Sequence, residues 1–209
     1  MINEPTKEAF LKTWPGGYRE NWEVYGKASG VTEEAVVSKC LAPFYNPNHT
    51  VLEIGCGAGF WTEKYLAPNF KSVIALDLLP NPILAGNNIK YIEVPDRNYE
   101  CFGVADNSAN FVWSFGVFCH LTLDSIQKYL ESAHRKLIPG GKAVFYFSNK
   151  DRRPCKATTE NLPSEIIWVE NDFVTSKAML NQAGFINVKD IMPELFDSMV
   201  YAEAFEYIK

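Results

Sequence analysis

Short apolar runs recur along the chain, each closed by an acid, a glycine or a proline. The first, Val51-Leu52-Glu53-Ile54, has the nearly unbroken apolar character of a parallel strand covered on both faces. Further runs predict strands near 72–77, 89–94, 111–115 and 142–147, and two last strands near 185–191 and 199–208 around Pro193. Between them the period lengthens. Thr122 opens the clearest helix, with Ile126, Tyr129, Leu130, Ala133 and Leu137 at three- and four-residue steps and Pro139-Gly140-Gly141 as its stop. Another helix is predicted near 175–183, closed by Gly184. Ahead of the first strand, Thr6 to Leu11 fits a short helix. Val31 to Phe44 fits a longer one, capped by Thr32, with Val36, Val37, Cys40 and Leu41 on one side. Asn46-Pro47-Asn48 reads as a turn into strand one, and Pro80 and Pro82 leave room for only a stunted helix between strands two and three. Residues 149–174, with Pro154 and Pro163, read as irregular. Alternating strands and helices imply an α/β fold with a mostly parallel sheet and helices on both faces.

The end of the first strand carries the most chemistry. Glu53-Ile54-Gly55-Cys56-Gly57-Ala58-Gly59 places three alternating glycines at the carboxyl end of a buried run. Such glycines reach backbone angles other residues resist and let a ligand approach the main chain. Dinucleotide folds space them G-x-G-x-x-G. Here the third glycine comes one residue early and Phe60 follows it, so the turn is tighter. Asp77 closes the second run about twenty residues on, where an acid accepts hydrogen bonds from a ribose diol.

With these residues in view, the chain resembles the class I S-adenosylmethionine-dependent methyltransferases. The resemblance rests on residues 53–59, on Asp77, on Phe111-Val112-Trp113-Ser114-Phe115-Gly116-Val117-Phe118-Cys119-His120 and on Leu137-Ile138-Pro139-Gly140-Gly141-Lys142. It implies a Rossmann-like sheet of seven strands with the last antiparallel, and S-adenosyl-L-methionine as cofactor. It implies cofactor contacts from Glu53, Gly55, Cys56, Gly57 and Gly59 in the first loop, Asp77 and Leu78 in the second, Asp96 in the third and Ser114 and Phe115 in the fourth. Trp61 and Phe115 are candidates to flank the adenine or the sulfonium, a contact worth ~0.5–2 kcal/mol, and equally candidates for plain packing. Asp106 is a second candidate for the adenine acid. Residues 1–45 are expected to form a helical cap over the cofactor, with Tyr18 touching it. Where the family often has Asp before strand four this chain has Asn110, a change expected to affect a turn hydrogen bond only.

The acceptor is less legible. His120, after strand four, is the candidate general base, because an imidazole exchanges protons near neutrality. Lys150, Arg152 and Arg153 follow strand five and are candidates to hold an anionic group of the acceptor; with Trp168 they place acceptor selection in residues 149–174. The motif of amino methyltransferases acting on nucleobases or glutamine, Asn or Asp then Pro-Pro and an aromatic, is replaced by Ser114-Phe115-Gly116-Val117. The two-glutamate hairpin of protein arginine methyltransferases is also missing.

Composition narrows the reading. Two hundred and nine residues suit one α/β domain, and 47% hydrophobic content is ordinary for a soluble protein. The net charge of −5, without a long basic run, argues against a nucleic-acid partner. No stretch is long and apolar enough for a membrane span, and residues 1–5 are too polar to begin a signal peptide. The five cysteines form no C-x-x-C pair, which fits reduced thiols in the cytoplasm and no metal site. The expectation is a cytoplasmic enzyme transferring a methyl group to an O, N or S nucleophile on a small molecule. Its rivals are a module that binds the cofactor without turnover and a nucleotide-dependent oxidoreductase.

Overall fold

In a computed structural model of the chain the described residues are 6–13, 32–80, 84–152, 169–195 and 197–205. Seven strands form one sheet: β1 (Asn46–Ile54), β2 (Phe70–Asp77), β3 (Ile89–Glu93), β4 (Ala109–Ser114), β5 (Leu137–Phe147), β6 (Phe185–Asp190) and β7 (Ser198–Ala204). Their order is β3-β2-β1-β4-β5-β7-β6. The pairs β1–β2, β1–β4, β2–β3 and β4–β5 are parallel, and β7 runs antiparallel to both β5 and β6. The expected architecture is therefore present. The chain leaves β1 toward β2 and β3, then returns to place β4 on the other side, so the order reverses between β1 and β4. A crevice opens at the carboxyl ends of strands at such a reversal.

The period-two alternation of the strands builds the layers. Leu52, Val112, Phe145 and Phe147 point into one core with Phe118, Ile126, Leu130 and Phe185. Their neighbours Val51, Phe111, Trp113, Val144 and Tyr146 point into the other, with Trp61, Phe115 and Met199. Because both faces are covered, β4 is buried at five of its six positions. On the first face lie the helices α3 (Leu123–Lys136) and α4 (Phe173–Gln182). Thr122 caps α3 by accepting the Ser125 amide, and Asp172 caps α4 by accepting that of Thr175. N-terminal to the sheet are α1 (Lys7–Thr13) and α2 (Glu33–Val36).

Several boundaries differ from the sequence expectation, each for a physical reason. The predicted helix over 31–44 is α-helical only through Val36. It widens into a π-helix over Val37–Leu41 and tightens into a 3-10 turn over Ala42–Phe44, where Pro43 has no amide to donate. Strand β1 begins at Asn46 and not after it. The Asn46 side chain accepts the Asn48 amide at 2.9 Å, and the pairing with β2 is irregular between Asn46 and Thr50, so the expected turn is a bulge inside the strand. Leu137 keeps the helical spacing of α3 but is extended and pairs with Ala109 as the first residue of β5; Pro139-Gly140-Gly141 bulges the strand instead of ending the helix. α4 starts two residues earlier than expected, because Asp172 is its cap.

Candidate active site

The turn after β1 extends the sheet before it leaves it. The Leu76 carbonyl accepts both the Gly55 amide (2.8 Å) and the Cys56 amide (3.0 Å). Gly55, Gly57 and Gly59 all take positive φ, at 75°, 53° and 84°. Gly55 has no room for a side chain either: a Cβ there would stand 2.1 Å from Val117 Cγ2. Glu53, fully buried, accepts the Thr62 hydroxyl at 2.5 Å and so ties the end of β1 to the π-helix Thr62–Leu66 that follows the turn.

Asp77 joins two of the four loops. Its Oδ2 accepts the Gly57 amide at 2.7 Å and its Oδ1 the Leu79 amide at 2.9 Å, with the Leu78 amide contributing as well. Burial pushes its carboxyl above the ordinary range. The three amides, and then the Lys7 charge, pull the other way. Tyr91 holds this loop from below, its hydroxyl bonded to the Leu79 carbonyl. The other acids separate clearly. Asp96, exposed, accepts the Lys7 amide at 3.1 Å. Asp106 pairs with Lys136 at 2.6 Å, before the amino end of β4, and so lies away from the crevice. Asn110, in β4, accepts the amide of Thr50 in β1 at 2.9 Å, a bond between neighbouring strands and not the turn hydrogen bond expected of it.

Ser114, buried, donates to the Ile54 carbonyl at 3.1 Å and fixes the spacing of β1 and β4 where the crevice opens. Next to it Gly116 has φ 73°, and a Cβ there would meet nothing within 4 Å, so the main chain borders open space. Trp61 and Phe115 lie 2% and 7% exposed in an aromatic cluster. Their rings are 5.1 Å apart and pack on Trp113 and Tyr146 beneath the crevice. His120 ends the 3-10 turn Phe118–His120, largely buried, with the centre of the Phe10 ring 6.4 Å from its own in a T-shaped arrangement.

Lys150 and Arg152 are both paired with carboxylates of the chain. Lys150 lies 3.3 Å from Asp172, and Arg152 lies 2.5 Å from Asp190 and donates to the Asp197 carbonyl. Asp197 in turn accepts the Tyr146 hydroxyl and the Asn149 amide, which fastens the end of β5 to the start of β7. Beyond the irregular segment, Val169 donates to the Cys119 carbonyl at 2.8 Å and accepts the Ser148 hydroxyl at 2.7 Å. Val169 thus sits beside the turn that His120 ends, whereas Arg152 follows the carboxyl end of β5 against β6 and β7. Tyr18, Arg153 and Trp168 lie outside the described residues. The sequence reading missed Lys7, Phe10 and Val117 as neighbours of the site. Val117 stands in the quoted stretch, but nothing local to α1 announces where it docks.

A separate cavity of about 210 Å³ opens at the opposite edge, between Phe44, His49, Phe111 and Lys142. It adjoins strand starts, where an open α/β sheet does not bind its ligand. Among the described residues no cluster of His, Cys, Asp or Glu could hold a metal ion, and no helix is long and apolar enough to cross a membrane.

A glycine turn with an acid on the neighbouring strand, at the reversal of a 3-2-1-4-5-7-6 sheet, defines a nucleoside-binding α/β protein. Residues 52–145 match the family described as a methyltransferase domain, and the fold is shared with solved S-adenosylmethionine-dependent methyltransferases. It is 27% identical over 127 residues to the N-terminal Xaa-Pro-Lys N-methyltransferase 2 of Danio rerio; the match takes in 57% of this chain and 45% of that protein. Among solved structures it is similar to the 1,6-didemethyltoxoflavin-N1-methyltransferase of Burkholderia thailandensis with bound S-adenosylhomocysteine (TM-score 0.68, 16% identity, 96% of this chain and 87% of the other). It is also similar to phosphoethanolamine N-methyltransferase 2 of Haemonchus contortus with S-adenosyl-L-methionine (TM-score 0.62, 18% identity, 90% and 43%). The residues present fit that cofactor: a carboxylate bound to the glycine turn stands beside main chain with open space at Gly116.

Proposed function

We propose that the chain methylates a nitrogen of a small-molecule acceptor, and that His120 takes the proton the acceptor sheds. The observation that carries this reading is the meeting, at one end of the sheet, of Asp77 on the glycine turn with His120 after β4. When bound, S-adenosylmethionine supplies a methyl group already activated on a sulfonium. The main chain of residues 55–59 and Asp77 would hold it, with Asp96 at the far side. What remains for the protein is placement and exclusion of water, and placement alone contributes ~7–11 kcal/mol in well-oriented reactions. Phe10 beside His120 and Val117 beside Gly55 border the space in which the acceptor nitrogen would stand, and the His120 imidazole receives its proton. With Lys150 and Arg152 already paired, the described residues lend the acceptor's anionic group little support, and a neutral or cationic acceptor fits better. The scattered cysteines keep the cytoplasmic reading.

The nitrogen preference draws on the names of three similar proteins, all N-methyltransferases. One observation favours a second reading, a peptide amino terminus as acceptor: the curated relative is named for Xaa-Pro-Lys termini. The test is formation of S-adenosylhomocysteine with a panel of small amines and with peptides beginning Xaa-Pro-Lys. Turnover on small amines, abolished in His120→Gln, is the expected result. Turnover on the peptides alone replaces the acceptor assignment, and cofactor binding with no turnover on either leaves a binding module.

A further inference from the structure

The cavity of about 210 Å³ at the opposite edge of the sheet lies where neighbouring strands lose their regular pairing. β1 is irregular against β2 between Asn46 and Thr50. β4 is irregular against β5 between Ala109 and Phe111, where Pro139-Gly140-Gly141 bulges with Gly140 at φ 75°. Such bulges interrupt pairing and re-aim side chains. Phe44 and Phe111 line the opening with rings 4.9 Å apart and 17° from parallel, and Phe70 and Tyr201 continue the row. The wall they make is flat and apolar.

The polar rim is one-sided. The Asn46 side-chain oxygen accepts the Asn48 amide, so its amino group is what meets His49 Nε2 at 3.1 Å. That contact makes Nε2 the acceptor and leaves the His49 proton on Nδ1. The Asn110 side-chain oxygen is spent on the Thr50 amide. These acceptors are taken, and donors remain: the His49 Nδ1–H and the Lys142 ammonium, which is exposed and has no ion pair among the described residues. Glu203, opposite Lys142 on β7, feels its charge but is engaged by the Asn187 side-chain amide and the Tyr201 hydroxyl. β1 and β5 flank β4, so the two donors sit on strands about two spacings apart, roughly 10 Å. The volume exceeds the ~150 Å³ that encloses a benzene and falls short of the ~300–1,000 Å³ of sites for larger ligands, so a single substituted ring fits. We propose that this cavity is a second ligand site for a small aromatic carboxylate, its ring against Phe44 and Phe111, its carboxylate at Lys142 and a further acceptor at His49. An open α/β sheet binds its main ligand at the other end of the strands. This ligand is therefore additional to the cofactor and the methyl acceptor, and its site stands whether or not His120 is a base.

The experiment uses the full chain saturated with S-adenosylhomocysteine, which fills the cofactor end. Para-hydroxybenzoate, its neutral counterpart para-hydroxybenzamide, and benzoate are titrated in turn. Backbone amides are followed by nuclear magnetic resonance in isotope-labelled protein. Para-hydroxybenzoate is expected to bind with a dissociation constant of about 1 mM or tighter, in the range for a ligand of so few atoms. It should move the amides of His49, Phe111, Gly140 and Gly141 while those of Gly55, Gly57 and Gly59 stay. Para-hydroxybenzamide should bind about fivefold more weakly. Lys142→Met should weaken para-hydroxybenzoate by about the same factor, the size of one exposed ion pair, and leave the benzamide unaffected. Benzoate, lacking the second acceptor, should bind about threefold more weakly, as for one modest hydrogen bond. Phe44→Leu should weaken all three ligands by about threefold, the lower end for an aromatic pair. Lys142 is exposed and leucine keeps most of the bulk of Phe44, so both variants fold, and a melting curve checks that. Shifts confined to residues 55–59 and 114–117, or shifts that never saturate, overturn the site. Equal affinity for hydroxybenzoate and hydroxybenzamide, or no loss in Lys142→Met, overturns the carboxylate assignment, and benzoate binding as tightly as para-hydroxybenzoate removes His49 from it.

Discussion

Asp77 fastens two loops to each other, and its environment sets how it responds to acid. Removing it in Asp77→Ala leaves the Gly57 and Leu79 amides without their acceptor. Hydrogen bonds to a charged group are worth about 1.5–3 kcal/mol, so S-adenosylhomocysteine should bind roughly 10–100-fold more weakly by calorimetry. Protonation removes the same acceptor. Burial holds this carboxyl above its ordinary range, so affinity is full above that raised value and declines as pH falls through it, earlier than for an ordinary carboxylate near about 4. His134 works in the opposite sense. Its ring packs against Phe185 at 5.1 Å and against Gly184, and burial pushes its proton affinity down. The unfolded chain then binds this proton more readily than the native one. Stability is full above the unfolded value of about 6.5 and is lost as pH drops below it. The melting temperature should decline on acidification across that range, and His134→Gln should flatten the decline.

At the scale of elements, the glycine turn tolerates least. Gly55→Ala meets a left-handed backbone, costing about 1–2 kcal/mol, and a clash with Val117 in addition. Denaturant unfolding should show a loss larger than that figure, together with lost cofactor binding. This element was legible because its determinants are local: a buried run, three glycines and an acid on the next strand, all within residues 51–77. The helix α3 was legible for the same reason, through Thr122 and its apolar spacing. Its end was not, since an apolar Leu137 serves a helix face and a strand start equally well. The particular residues that α1 touches were not legible. Lys7 and Glu93 are 86 residues apart, and no periodicity encodes which surface a seven-residue helix settles on. The pairing of Arg152 was hidden for the same reason, since its partner Asp190 comes from β6, 38 residues further on.

For the molecule as a whole, ligand binding and stability are linked. S-adenosylhomocysteine at about a hundred times its dissociation constant adds about 2.7 kcal/mol to the native state. For a chain of this size that corresponds to a rise in melting temperature of roughly 5–10 °C, readable by scanning calorimetry and cut to about half or less in Asp77→Ala at the same ligand concentration. The sheet order itself has a temporal meaning. β7, the last strand in sequence, is the one inserted between β5 and β6, and Asp197 at its start clasps Tyr146 and Asn149. Until residues 198–204 join the sheet, β5 carries an open ladder on one side and β6 has no neighbouring strand. The glycine turn, whose partners all lie within residues 51–77, is therefore complete before this edge of the sheet closes, and in the interval the open ladder of β5 is where a chaperone, or a second nascent chain, would first take hold.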